Sequence, residues 1–135
     1  MERRILRVLL CKGTMDAHDR GVRYLATKLR EAGMEVIFIN FLEPSEIVDA
    51  AIQEDVDVIG VSILSGAHMT VFPRILDRLA AREAGDILVV GGGVIPDEDV
   101  ARLKSLGVAE ILLQDTPPEA IVAMVRRVVA ERGPR

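Results

Sequence analysis

The chain has 135 residues, the size of one ordinary domain, so it is read as a single domain over 1–135. Half of the residues are hydrophobic and 28% are charged, which supports a real core and excludes disorder, while a net charge of −4 argues against a nucleic-acid backbone as partner. Aromatic residues make up 3% with no tryptophan, too few for base-stacking platforms, and one cysteine allows neither an internal disulfide nor a cysteine-based zinc cage.

Short apolar runs alternate with helical patterns from end to end. Residues 5–11 (ILRVLLC) read as a strand. Residues 19–32 read as a helix with Val22, Leu25, Ala26 and Leu29 on one face and Gly33 as its stop. Residues 35–40 (EVIFIN) form the second strand, and Pro44-Ser45 opens a helix to Gln53 with Ser45 as its N-cap. Residues 56–62 (VDVIGVS) form the third strand, and 69–84 a helix with Pro73 in its first turn. Residues 87–90 (ILVV) form the fourth strand, followed by Gly91-Gly92-Gly93 as a loop. Residues 97–106 are a helix stopped by Gly107, 110–113 the fifth strand, and Pro117-Pro118 opens a last helix to about Arg132.

Five strand–helix units with continuous apolar strands imply an α/β fold: a doubly wound parallel sheet with helices on both faces. Five strands fit the flavodoxin-like (Rossmann-like) order 2-1-3-4-5; a full Rossmann sheet would call for a sixth. The basic start of the chain leads into too short an apolar run for a signal peptide. No run approaches the roughly 18 residues of a membrane span, and the lone cysteine suits a reducing cytoplasm. The chain is small for an enzyme that must enclose its own substrate.

In such sheets ligands bind beyond the carboxyl ends of the strands, at the switch point between strands 1 and 3. The loops that matter are therefore 12–18, 62–68, 91–96 and 114–118. The first is rich in ionisable groups: Lys12, Asp16, His18, Asp19 and Arg20. A carboxylate two residues from a histidine can accept its Nδ1–H and leave Nε2 free for a metal or a proton. On spacing alone the loop reads equally as a helix capped by Asp16 or Asp19, with His18 in water. Ser62 ends a buried strand, where its hydroxyl either faces the crevice or closes a turn. His68 reads as a surface or helix-start histidine. The three glycines permit close approach of a ligand or serve the turn alone. A phospho-receiver would want an acidic pair after strand 1 and an aspartate ending strand 3, but strand 1 ends Leu10-Cys11-Lys12 and strand 3 ends in Ser62. A flavodoxin would want a hydroxyl-rich phosphate loop after strand 1, where Thr14 is the only hydroxyl.

Asp16-x-His18-x-x-Gly21, Ser62-x-Leu64 and Gly92-Gly93 together resemble the cobalamin-binding signature DxHxxG…SxL…GG. The runs DRG (19–21), SILSGAH (62–68) and GGGVIP (91–96) are similar to the cobalamin domain of acyl-CoA mutases. Within that group the chain resembles the separate small subunit of isobutyryl-CoA or 2-hydroxyisobutyryl-CoA mutases; methylmalonyl-CoA mutases carry the same domain fused. The resemblance implies that His18 is the lower axial ligand of cobalt, that Asp16 hydrogen-bonds it, and that Lys12 backs Asp16. It implies that Gly21 leaves room beside the nucleotide tail and that Ser62 and Leu64 line the slot for its dimethylbenzimidazole. It implies that Gly92 and Gly93 let the tail pass against the backbone and that Thr116 adds a hydroxyl. Asp19 and Arg20 belong to the same binding loop. Asp115 stands where the family has a glycine, which implies altered packing at the outer wall. The implied activity is a radical 1,2-rearrangement of an acyl-CoA carbon skeleton by adenosylcobalamin, an isomerase activity shared with a large, barrel-shaped, substrate-binding subunit. The alternatives are a non-catalytic cobalamin carrier or sensor, and a small metal-binding domain using His18 and Asp16.

Overall fold

The structure, a computed structural model, describes residues 5–13, 20–63, 66–113 and 115–134, with the side chain of Arg20 also outside that set. In chain order the elements are β1 (Arg7–Gly13), α1 (Arg20–Glu31), β2 (Glu35–Phe41), α2 (Pro44–Gln53), β3 (Val58–Ile63), α3 (His68–Ala81), β4 (Leu88–Gly93), α4 (Asp97–Leu106), β5 (Glu110–Leu113) and α5 (Pro118–Arg132). The strands form one parallel sheet in the order β2-β1-β3-β4-β5, as expected from the sequence.

Alternate residues of each strand bury against opposite helix layers, because the side-chain period of a strand is two. On one face Leu9, Cys11, Ile59, Val61 and Val89 pack with Ile47, Phe72, Ile75, Leu79 and Leu103 of α2, α3 and α4. On the other, Val8, Leu10, Val58 and Val90 pack with Val22, Ala26, Leu29, Met124, Val125 and Val128 of α1 and α5. Each buried aliphatic side chain stabilises the fold by about 1.5–3 kcal/mol.

The amino end of the sheet is closed by charge. Asp57 is fully buried, and its Oδ2 accepts the Arg7 backbone N–H at 3.0 Å. Arg132, at the end of α5, donates to the Asp86 carbonyl at 3.1 Å and lies 3.5 Å from Asp57 Oδ1. Among the described residues no helix is long and apolar enough to cross a membrane.

Several expected boundaries move, each for a visible reason. β1 runs on through Lys12 and Gly13, because both pair with β2 and Lys12 also pairs with Ser62 of β3. The three glycines belong to β4 and not to a loop: Gly91, Gly92 and Gly93 pair with Val61, Ser62 and Ile63 on one side and with Ile111, Leu112 and Leu113 on the other. Ser45 is not the N-cap of α2. Pro44 occupies the first turn, Glu43 is the cap residue, and the Glu46 carboxylate accepts the backbone N–H groups of Leu42 and Glu43. Pro73 lies in the second turn of α3, inside the helix. Gly33 and Gly107 do end their helices, at φ +91° and +125°.

Candidate cofactor-binding site

Register alone assembles one side of a site at the carboxyl end of the sheet. Lys12, Ser62, Gly92 and Leu112 stand opposite one another across β1, β3, β4 and β5, so they share a face. One step back, Leu10, Gly60 and Val90 form the next row. Val8, Leu10, Val58 and Val90 on this face pack against α1 and α5. Small residues at 60, 62 and 92 therefore thin the sheet beneath those two helices.

A cavity of about 560 Å³ opens there, within the usual range of cofactor sites. Its floor is Gly60, Ser62, Gly92 and Gly93; its walls are Gly21, Val22 and Leu25 from α1 and Ile121, Met124 and Val125 from α5. Leu112, Leu113 and Thr116 close the side toward β5. The lining is predominantly apolar, with Ser62, Thr116 and Tyr24 as its hydroxyl-bearing residues. The Thr116 hydroxyl donates to the Leu113 carbonyl at 2.7 Å, and the Thr116 N–H donates to the same oxygen at 3.1 Å.

The glycines divide by what their missing side chains would meet. A Cβ on Gly91 would strike the Phe72 ring, and one on Gly93, at φ +136°, the Ile63 carbonyl. Both are demanded by packing. At Gly92 the nearest atom to a Cβ would be the Leu112 carbonyl oxygen at 3.8 Å, and at Gly21 nothing lies within 4 Å. Packing does not require glycine at either position, yet both line the cavity. A flat group can lie against the backbone there, which is the fit expected of a cobalamin nucleotide tail.

Lys12 is buried at the end of β1, where its Nζ donates to the Gly13 carbonyl at 3.1 Å. Cys11 faces the α2/α3 side within the core; burial pushes its thiol well above the ordinary range, so it is inert as a nucleophile. Asp16, His18 and Asp19, with Leu64, lie outside the described residues, as does the side chain of Arg20. Among the described residues no cluster of three or more His, Cys, Asp or Glu could hold a metal. The structure thus brings together Gly21, Ser62, Gly92, Gly93 and Thr116 around one cavity; Lys12 pairs with Ser62 across β1 and β3 but does not line it.

Sequence reasoning missed two things. The helix residues Leu25, Ile121 and Met124 line the cavity as much as the loops do; the signal available was that helices flanking a switch point wall its crevice. His68 does start a helix, but it is buried, with 6% of its surface exposed, and its Nε2 lies 2.8 Å from Asp99 Oδ2.

Residues 6–127 match the family model of the B12 binding domain. The chain is 55% identical, over the full length of both proteins, to the 2-hydroxyisobutanoyl-CoA mutase small subunit of Aquincola tertiaricarbonis. It is 41% identical to the pivalyl-CoA mutase small subunit of Xanthobacter autotrophicus, over 90% of this chain and 82% of that one. Its backbone superimposes on the receiver domain of the Mycobacterium tuberculosis response regulator NarL with a TM-score of 0.76, covering 95% of this chain and 98% of that one. At 15% identity that likeness concerns the fold, and strand 3 carries Ser62 at the end where a receiver would want an aspartate. The chain belongs to the B12 binding domain family and, within it, to the cobalamin-binding small subunits of acyl-CoA mutases.

Proposed function

We propose that this chain holds adenosylcobalamin by its nucleotide tail and presents it to a large, barrel-shaped subunit that binds the acyl-CoA. The observation that carries this reading is the apolar cavity between α1 and α5, floored by Gly60, Ser62 and Gly92. Such a slot accepts a flat aromatic base and excludes water from it. His18 would supply the imidazole for cobalt, with Asp16 fixing its tautomer and Lys12 holding Asp16. Asp19, Arg20 and Gly21 would form the rest of that loop, and Gly21 would leave space beside the tail. Ser62 and Leu64 would line the slot, Gly92 and Gly93 would let the tail run against the backbone, and Thr116 would face its outer end.

When bound, the cofactor would supply the radical chemistry for a 1,2-rearrangement of the acyl-CoA skeleton, while the protein supplies placement. The chain itself contributes anchoring of the tail and orientation of the metal. Two of its relatives are small subunits of acyl-CoA mutases, which supports a separate, substrate-binding large subunit as partner. The substrate class we assign is a short branched or hydroxylated acyl-CoA, and the compartment a reducing cytoplasm.

Reconstitution tests this. The chain is mixed with a large acyl-CoA mutase subunit and adenosylcobalamin, and acyl-CoA isomerisation is followed by chromatography. Turnover is expected for the mixture and not for either chain alone. Cobalamin uptake with no turnover on a panel of branched and hydroxylated acyl-CoAs would favour a carrier instead.

A further inference from the structure

His68 opens α3 and Asp99 lies in the first turn of α4, so the 2.8 Å bond between them ties together the connections that leave β3 and β4. Those strands bear Ser62 and Gly92, the paired residues at the floor of the cavity. The ends of the two strands already touch, because Gly93 packs against the Ile63 carbonyl. Ile95, in the second connection, is buried in the core and anchors it further. The His68–Asp99 bond closes the far end.

The histidine is not there for packing alone. Its Nδ1 is buried and has no hydrogen-bond partner among the described residues, a cost of about 1–3 kcal/mol that a leucine or phenylalanine would avoid. What the imidazole adds is the bond to Asp99, whose side chain is 29% exposed. With the carboxylate accepting, Nε2–H is the donor.

We infer that His68 and Asp99 form a positioning pair for the cobalamin tail: the bond holds the β3 and β4 exits at the spacing at which Ser62 and Gly92 line one slot. Neither His68 nor Asp99 lines the cavity, so the pair acts through the backbone that carries Ser62 and Gly92. This rests on the chain's membership of the cobalamin-binding family.

The test is a double-mutant cycle with two readouts, cobalamin affinity by absorption titration and thermal unfolding without cobalamin. His68→Phe and Asp99→Leu are each expected to weaken cobalamin binding about tenfold, and the double variant no more than either single. Asp99→Asn keeps an oxygen acceptor for Nε2–H and is expected to restore affinity to within about threefold of the parent. Unchanged affinity in His68→Phe and Asp99→Leu, whatever their unfolding temperatures, would overturn the proposal. So would an Asp99→Asn variant as weak as Asp99→Leu. Failure of the parent chain to take up cobalamin is a separate result, which would overturn the cofactor assignment itself and the positioning role with it.

Discussion

The carbonyl oxygen of Ile63 occupies the place where a side chain on Gly93 would begin. That contact, at the carboxyl end of the β3–β4 pair, lets β4 close against β3 at the rim of the cavity. Two residues earlier, Gly91 makes room for the Phe72 ring on the opposite face of the sheet. Gly92, between them, is left open toward the cavity. Three consecutive glycines thus have three different causes.

Those causes separate experimentally. Gly91→Ala and Gly93→Ala are expected to destabilise the fold by about 2–4 kcal/mol each, through overpacking at 91 and through both strain and collision at 93. Gly92→Ala should stay within about 1 kcal/mol of the parent, because its Cβ meets only ordinary contact. Its effect should instead appear as a loss of cobalamin affinity of about tenfold. Urea unfolding and absorption titration on the same three variants distinguish the two kinds of glycine.

Burial acts to raise the Glu110 carboxyl, but hydrogen bonds from Lys104, the Ile111 N–H and Arg127 outweigh it and hold the carboxyl below the usual glutamate range. Lys104 approaches at 2.6 Å and Arg127 at 2.7 Å. A carboxylate held down in the folded state stabilises the protein above its unfolded-state value and loses that contribution as pH falls through the folded one. Both cations are exposed, so the contribution is about 1 kcal/mol or less at pH 7. Glu110→Gln should lower stability by that amount at neutral pH, and the difference should shrink progressively below about pH 4.3. Urea unfolding at a series of pH values checks it; a difference that grows on acidification contradicts the sign.

Asp57 is the deepest charge among the described residues, held by the Arg7 N–H and close to Arg132. Asp57→Ala leaves those donors short of an acceptor at the buried amino end of the sheet. A loss of about 3 kcal/mol is expected. Asp57 does not line the cavity, so cobalamin affinity of the folded variant should be unchanged. Unfolding midpoint and titration together test the separation of fold from site.

The order of the sheet was legible because each strand is a continuous aliphatic run bounded by a helix with its own stop, Gly33 and Gly107 among them. The strand ends were less legible. Lys12-Gly13 and Gly91-Gly92-Gly93 lack strand propensity, yet they are drawn into the sheet by neighbours on both sides. The slot was legible at Gly21, Ser62 and Gly92 as loop and strand-end residues. It was not legible at Leu25, Ile121 or Met124, whose helical spacing reads as ordinary core. The role of His68 was hidden for a different reason: its partner Asp99 is 31 residues away, and only the packing of α3 beside α4 brings them together.

The central claim is that this chain holds cobalamin with His18 as the lower ligand of cobalt. Titration of the apo-protein with cobalamin, followed by absorption spectroscopy, tests it most directly. The expected result is a base-off, histidine-ligated spectrum for the parent chain. Asp16→Ala should retain that spectrum with affinity weakened roughly 10–100-fold, and His18→Ala should lose it. No spectral change in the parent, or an unchanged histidine-ligated spectrum in His18→Ala, would contradict the claim.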